Sequence, residues 1–304
     1  MDVDAILDRR RLKRRLAIWR LAAVVAVVAL LAVVAARTLQ PGRDHVARLS
    51  IDGFIAEDPE RERAIASLVE DDNARAVLVR INSPGGTTTG SEEIYQVLRR
   101  VGEHKPVVAV IGTLGTSGGY IVALAADRVF ARETSITGSI GVLFQTAQFT
   151  ELLDKIGVET ESLKSSPLKG QPSPIDPMTE EVRQAMRALL ADSYAWFRGL
   201  VRERRTLDDN ALERAADGRV FTGRQAIDLK LIDALGGERE ARAWLEAEHE
   251  IDLTLPTIDI TWGEEDSFPG VSAMALARKI LTNERLTLDG LLSVWHPEPS
   301  GQSF

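Results

Sequence analysis

The sequence predicts an α/β fold on a parallel sheet. Apolar runs at 46–51, 76–81 and 107–111 have strand length, helical segments at 64–71 and 91–102 separate them, and glycine-rich turns close the second and third runs. Strand and helix alternating in this way imply parallel pairing through right-handed crossovers. Such pairing brings the C-terminal ends of the strands, and the turns that follow them, to one edge of the sheet.

Ahead of this region lies a segment of another kind. Within residues 1–15, Arg9, Arg10, Arg11, Lys13, Arg14 and Arg15 precede an apolar stretch, 16–37, that carries Arg20 near its start. The 21 positions from Leu16 to Ala36 span about 31 Å as a helix, close to the thickness of a bilayer core, and Arg20 reaches back toward the basic side. Positive charge concentrated before the run, against Arg37 and Arg43 after it, predicts a single-pass transmembrane helix with a cytoplasmic N-terminus and an extracytoplasmic remainder. Val34-Ala35-Ala36 resembles the end of a cleaved signal peptide, but the basic region and the apolar run are longer than such a signal carries, and the anchor is the reading adopted.

Residues 38–45 read as a linker, 46–250 as one domain and 251–304 as a C-terminal extension. In chain order, the strand at 46–51 is followed by a helix at 64–71 and a strand at 76–81 that ends in Ser83-Pro84-Gly85-Gly86. Ser91 reads as the cap of the next helix, with Glu92 and Glu93 in its first turn complementing the helix dipole. The strand at 107–111 enters a second glycine-rich turn, and the alanine-rich stretch 120–126 reads as a buried helix. An amphipathic helix at 151–156, a strand at 158–163 and a loop at 166–176 with Pro167, Gly170, Pro172 and Pro174 come next. Thr179-Glu180-Glu181-Val182 resembles a capping sequence for a helix reaching about Arg205, whose stripe of Met186, Leu189, Leu190, Tyr194, Phe197 and Val201 indicates core or subunit packing. Residues 207–237 read as scaffold, with Gly218 and Gly223 framing a tight turn. In the extension, a strand at 251–262, an acidic loop at 263–268 and an amphipathic helix at 271–281 are expected. It would simply pack, cover a neighbouring subunit, touch the membrane surface or frame a cleft exit.

Composition limits the chemistry. With 44% hydrophobic and 27% charged residues the chain suits a folded domain with appendages, and the absence of cysteine excludes disulfides, zinc–cysteine sites and thiol catalysis. A net charge of −8, with positive charge concentrated at the N-terminus, argues against a nucleic-acid partner. No metal and no cofactor is expected.

The candidate chemistry centres on the run Gly-Thr-Leu-Gly-Thr-Ser-Gly-Gly-Tyr from Gly112 to Tyr120, which sets Ser117 just after an apolar strand and at the start of a small-residue helix. Free N–H groups at that helix start, together with the glycine turn after the neighbouring strand, would supply backbone donors for a developing oxyanion. A serine needs a base. His45, His104, His249 and His296 all lie in settings that nothing local would orient, whereas a lysine serves when burial favours its neutral amine. Outside the N-terminal segment, Lys105, Lys155, Lys230 and Lys279 read as solvated, and Lys164 and Lys169 remain, flanking Ser165-Ser166-Pro167-Leu168 in a loop. Composition does not separate these two.

Several motifs occur in order: Ile81-Asn82-Ser83-Pro84-Gly85-Gly86, Thr116-Ser117-Gly118-Gly119-Tyr120, Ala125-Ala126-Asp127, Thr137-Gly138-Ser139-Ile140-Gly141, and the run from Asp217 to Ala226. On these residues the chain, from roughly Val46 to Gly237, resembles the signal peptide peptidase A family, membrane-anchored Ser-Lys peptidases of the inner membrane with the Clp-protease/crotonase-like ββα superhelix. The resemblance implies Ser117 as nucleophile, Lys169 as general base with Lys164 the spare, and Ser139 beside the lysine amine. It also implies an oxyanion hole from the N–H groups of Gly86, Gly85 and Gly118, and a closed homo-oligomeric ring. Thr116 stands where the family commonly has alanine, and Ile121 where a second aromatic often follows Tyr120. Both bear on pocket shape, and neither removes a catalytic group.

The leading expectation is therefore a membrane-anchored serine endopeptidase that degrades released signal peptides or similar apolar peptides, bound as an added strand. Three alternatives are a crotonase-type acyl-CoA enzyme, a non-catalytic crotonase-like scaffold that binds membrane proteins, and a relative that clips an intact membrane protein. Extracytoplasmic exposure argues against the first, and the joint presence of Ser117, Lys169 and Ser139 against the second.

Overall fold

The computed structural model describes residues 43–262 and the strand Leu292–Val294, with isolated helical positions at 19, 20, 23 and 25–27. Most of the expected anchor, and all of the loop 263–268 and helix 271–281, lie outside the described residues. Among those described, no helix is long and apolar enough to cross a membrane. The chain divides into compact units at Met1–Arg43 and Asp44–Phe304, and the sheet, its helices and the candidate site belong to the second.

The sheet is built from β1 (His45–Ile55), β2 (Ala74–Thr87), β3 (Val107–Thr116), β4 (Arg128–Ala131), β5 (Ile136–Gly138), β6 (Val220–Thr222), β7 (Ala234–Leu235), β8 (Thr257–Asp259) and β9 (Leu292–Val294). The helices are α1 (Pro59–Ala66), α2 (Thr88–Gly102), α3 (Gly118–Leu124), α4 (Thr150–Lys155), α5 (Glu180–Arg204), α6 (Asp209–Ala215), α7 (Gly223–Asp228) and α8 (Glu238–His249). Strands run in the order β6-β5-β3-β2-β1-β8, and the pairings along that order are parallel except β5 with β6; off it, β9 pairs antiparallel with β2. β3 carries β4 along Val108–Ile111 and then β5 along Leu114–Thr116, so one strand serves two neighbours in succession.

Both faces of the sheet are covered, which explains why its central strands are apolar without interruption. Side chains alternate along a strand, and here the alternation divides two cores. Val77, Val79, Ile81, Ala109 and Ile111 pack with α2, α3 and the α5 residues Phe197 and Val201. Ala76, Leu78, Val108 and Val110 pack with Phe130 and the α8 residues Ala241 and Leu245.

Four expectations are corrected. The helix expected at 64–71 begins earlier, because Asp58 accepts from the N–H groups of Glu60 and Arg61 and Pro59 suits the first helical position; a 3-10 turn, Ser67–Val69, follows it. Ser91 does not cap α2. Thr87 accepts from Gly90 N, and Ser91 lies buried within the helix, donating to Thr87 O at 3.0 Å. Residues 158–163 form no strand: Val158 and Leu163 are exposed, and no described strand lies beside them to pair with. Of 251–262, Thr257–Asp259 alone pairs, on the edge of β1, while Arg242 holds the preceding loop through the carbonyls of Asp252, Leu253 and Leu255. The long helix matches its expected span, with Thr179 accepting from Val182 N at 3.3 Å.

Glu240 accepts from Gly237 N at 2.8 Å and closes the N-terminus of α8. That backbone bond, with help from Arg239, lowers the Glu240 pKa from 4.5 to about 2. A depressed folded value means the carboxylate stabilises the fold above the unfolded value and loses that contribution as pH falls. Urea midpoints of the parent and Glu240→Gln should accordingly differ at pH 7, the parent being higher, and converge as pH drops from about 4.5 toward 2.

Candidate active site

β3 ends at Thr116 and α3 begins at Gly118, so Ser117 is the single residue between strand and helix. It is 1% exposed and takes φ 55°, ψ −117°, a conformation that costs a non-glycine residue about 1–3 kcal/mol. Three hydrogen bonds hold it there. Ser117 N donates to Gly138 O at 2.8 Å, and Ser117 O accepts from Tyr120 N and Ile121 N at 2.9 and 3.0 Å. The whole of α3 is buried, and Tyr120 is anchored at its far end by donating from its hydroxyl to Leu231 O at 2.7 Å.

The turn after β2's apolar run meets the start of α3 backbone to backbone. A β-carbon placed on Gly118 would stand 3.1 Å from Gly86 N and 3.2 Å from Gly85 Cα, and one on Gly119 would stand 2.9 Å from Ser83 O. Gly86 in turn lies against β1, where a β-carbon would come within 2.5 Å of the Ile55 backbone. Ser83 organises this turn: its buried hydroxyl donates to Gly53 O at 2.6 Å and accepts from Gly85 N at 3.0 Å. The Gly85 N–H is thereby engaged inside the turn. Gly118, as the first residue of α3, has an N–H with no intrahelical acceptor.

Ser139 arrives from the other side. β5 pairs with the end of β3 through Thr116 opposite Gly138, so the residue after Gly138 stands beside Ser117. Ser139 is nearly buried, has φ 51°, and donates its N–H to Arg219 O at 2.8 Å. The Asp217 to Ala226 run thus supports the site from behind, and Gly223 N donates to Ser135 O within the same scaffold. A cavity of about 330 Å³ adjoins Ser139 through Ile140, Gly141 and Val142 and reaches Leu190 and Tyr194. A larger one, about 590 Å³, opens beside Ala74, Lys105 and Pro106 at the opposite ends of the strands, away from Ser117.

The two candidate lysines differ. Lys164 is paired with Asp176, which also accepts from Gln171 Nε2 at 3.0 Å, and the Lys164 hydrogen bond holds the Asp176 carboxyl below its usual range. Lys169 is exposed; its N–H donates to Ser166 O, and its amine makes no hydrogen bond or ion pair among the described residues. Ser117, Gly118, Gly85, Gly86 and Ser139 therefore converge, and among the described residues the Lys169 amine makes no hydrogen bond or ion pair with them. Ser83 had no role in the sequence reading beyond its place in the turn. A serine two residues before a glycine is a local turn signal, but the long-range bond to Gly53 O is not visible from spacing.

Residues 99–252 match the profile of peptidase family S49. A Synechocystis protein provisionally named as a protease, slr0021, is 39% identical over 204 residues, covering 66% of this chain and 73% of that one. An Enterococcus faecium protein provisionally named signal peptide peptidase SppA is 31% identical over 230 residues, covering 70% and 67%. The chloroplastic serine protease SPPA of Arabidopsis thaliana is 34% identical over 194 residues, covering 62% of this chain and 28% of its own length.

Two stability measurements check the geometry. Replacing Ser117 by glycine relieves the positive φ whereas alanine keeps it, so Ser117→Gly should exceed Ser117→Ala in unfolding free energy by about 1 kcal/mol. Ser83→Ala strands Gly53 O and Gly85 N–H in the interior and should cost about 1–3 kcal/mol in a urea titration, with a parallel fall in kcat as the turn loosens.

Proposed function

The chain belongs to peptidase family S49 and is a serine peptidase, and from that premise we propose a membrane-anchored endopeptidase that degrades released signal peptides or similar apolar peptides, with Ser117 as nucleophile. The observation that carries this reading is the seating of Ser117: a buried hydroxyl-bearing residue held at positive φ and followed by Gly118, where a β-carbon would stand 3.1 Å from Gly86 N. In the proposed reaction the Ser117 hydroxyl gives its proton to a neutral lysine amine and its oxygen bonds to the peptide carbonyl carbon. The N–H groups of Gly86 and Gly118 hold the oxyanion, Gly85 serving the turn instead. The lysine then returns the proton to the leaving amine, and water releases the acyl group by the same route.

Lys169 is the base of this proposal, and its exposure bears on where it acts. The segment around it carries Phe149, Leu152, Ile156, Leu163 and Leu168 at the surface, Leu163 at 93% exposure. We place the Lys169 amine of one copy against the Ser117 of a neighbour in a homo-oligomeric ring, which would bury both the apolar segment and the amine, with Ser139 beside it. The finer fold, a crotonase-like ββα superhelix, and the location, an inner-membrane single-pass protein with the peptidase domain extracytoplasmic, belong to the same proposal.

Fluorophosphonate labelling and hydrolysis of an apolar fluorogenic peptide test it on the full chain in detergent. The parent should label and cleave, while Ser117→Ala and Lys169→Ala should each lose about a thousandfold or more in kcat/KM and remain folded. When the two variants are unfolded and refolded together, mixed assemblies should regain part of the activity. Activity retained in Lys169→Ala would sink the lysine assignment, and no regain on mixing would return the dyad to a single copy.

A further inference from the structure

The main-chain ladder is broken on both sides of the Ser83–Gly86 turn. Toward β1, Asp52 stands opposite Asn82 and the next pair is Phe54 with Gly85, so Gly53, Ser83 and Pro84 are passed over. Toward β3, Ile81 stands opposite Ile111 and the next pair is Ser83 with Gly115. Two side-chain hydroxyls bridge these gaps. Ser83 donates from Oγ to Gly53 O, and Thr116, fully buried as the last residue of β3, donates from Oγ1 to Pro84 O at 3.2 Å. The Pro84 carbonyl and the Gly85 N–H belong to one peptide plane, and Gly85 N donates to Ser83 Oγ at 3.0 Å. That plane is therefore held at both ends, its carbonyl by Thr116 and its N–H by Ser83. Holding it matters because Gly85 takes φ 106°, where it has no β-carbon to limit rotation, and a second glycine follows. Sterics alone leave the direction of the Gly86 N–H open, and the fixed plane before it narrows that freedom. Thr116 also directly precedes Ser117, so one hydrogen bond ties the strand that delivers the nucleophile to the turn that carries the donor.

We infer that Thr116 is a positioning residue, whose hydroxyl holds the Pro84–Gly85 peptide against the end of β3 so that the Gly86 N–H stays aimed at the oxygen developing on the carbonyl that Ser117 attacks. The inference rests on the peptidase reading for its catalytic consequence and on the hydrogen-bond geometry for the tie itself. Being buried, Thr116 acts through the turn rather than on substrate, and its departure from the family's common alanine bears on the turn rather than on pocket shape. A misaimed donor weakens an interaction made in the transition state and not in the bound substrate. Loss of the tie therefore lowers kcat and spares KM.

The test compares the full chain with Thr116→Val, which keeps the shape and removes the donor, with Thr116→Ala, and with Thr116→Ser, which retains a hydroxyl. Thr116→Val and Thr116→Ala should each lose about fivefold or more in kcat on an apolar fluorogenic peptide at unchanged KM, and Thr116→Ser should keep about half or more of the parent's kcat. Across the series the inhibition constant of an apolar peptide aldehyde, whose adduct with Ser117 carries an oxygen in the same place, should rise in proportion to the fall in kcat/KM. A role confined to stability would lower urea midpoints and leave kcat alone. Parent-like kcat in both Thr116→Val and Thr116→Ala thus overturns the inference, as does a loss that Thr116→Ser shares in full. Amide exchange in the Ser117→Ala background reads the turn without chemistry: Gly85 and Gly86 should lose protection in Thr116→Val and keep it in Thr116→Ser. Unaltered exchange there overturns the inference, even if the peptidase reading were to fail on its own test by an unlabelled, inactive parent.

Discussion

At the start of α3 the main chain comes so close to the Ser83–Gly86 turn that a β-carbon on Gly119 would stand 2.9 Å from Ser83 O and one on Gly118 3.1 Å from Gly86 N. No side chain fits in that space. The approach sets the position of Ser117 relative to the turn and requires glycine at 118 and 119, Gly118 also lying against the Ser91 side chain. From the turn, the constraint passes to β1, because Gly86 is pressed on the Ile55 backbone and Ser83 is tied to Gly53 O. The end of β1, the end of β2 and the first residues of α3 thus form one backbone-packed body around a hydroxyl.

The sheet supplies the rigidity that this contact needs. Its central strands are buried on both faces, so β2 and β3 cannot shift register without moving two cores at once. The same rigidity sustains the conformation of Ser117. A cost of about 1–3 kcal/mol at one residue is tolerated because burial of α3, its anchoring through Tyr120 and the bond to Gly138 O leave no alternative path for the chain. Ser139 shares in this order, since its position follows from the pairing of β5 with the end of β3.

The region from 142 to 178 differs in kind. Among its described residues the helix α4 has no buried side chain, large apolar residues face outward, and Lys164 is turned to a local partner in Asp176. The apolar character of these exposed side chains suits a protein surface better than water, and the homo-oligomer proposed above would supply one. The strand at 292–294 pairs with the rigid half along Gly85, Gly86 and Thr87 of β2.

The sequence by itself determined the parallel α/β sheet, the long helix capped by Thr179 and the two glycine turns, because these rest on local signals: apolar runs, caps and residues that tolerate unusual backbone angles. It also singled out Ser117 and the Ser83–Gly86 turn, whose neighbours in the chain form distinctive motifs, while the roles of Lys169, Ser139, Gly85, Gly86 and Gly118 came from the family resemblance. Only the tertiary structure decided what depends on contacts distant along the chain. Ser91 reads as a cap from its acidic followers, but Thr87 takes that place because β2 stays extended through its glycines while paired to β1. Residues 158–163 read as a strand, but a strand needs a neighbour, and among the described residues none pairs with them. Ser83's bond to Gly53, the engagement of Lys164 by Asp176 and the seating of β9 on Gly85–Thr87 join residues through folded geometry, which no spacing in the chain encodes.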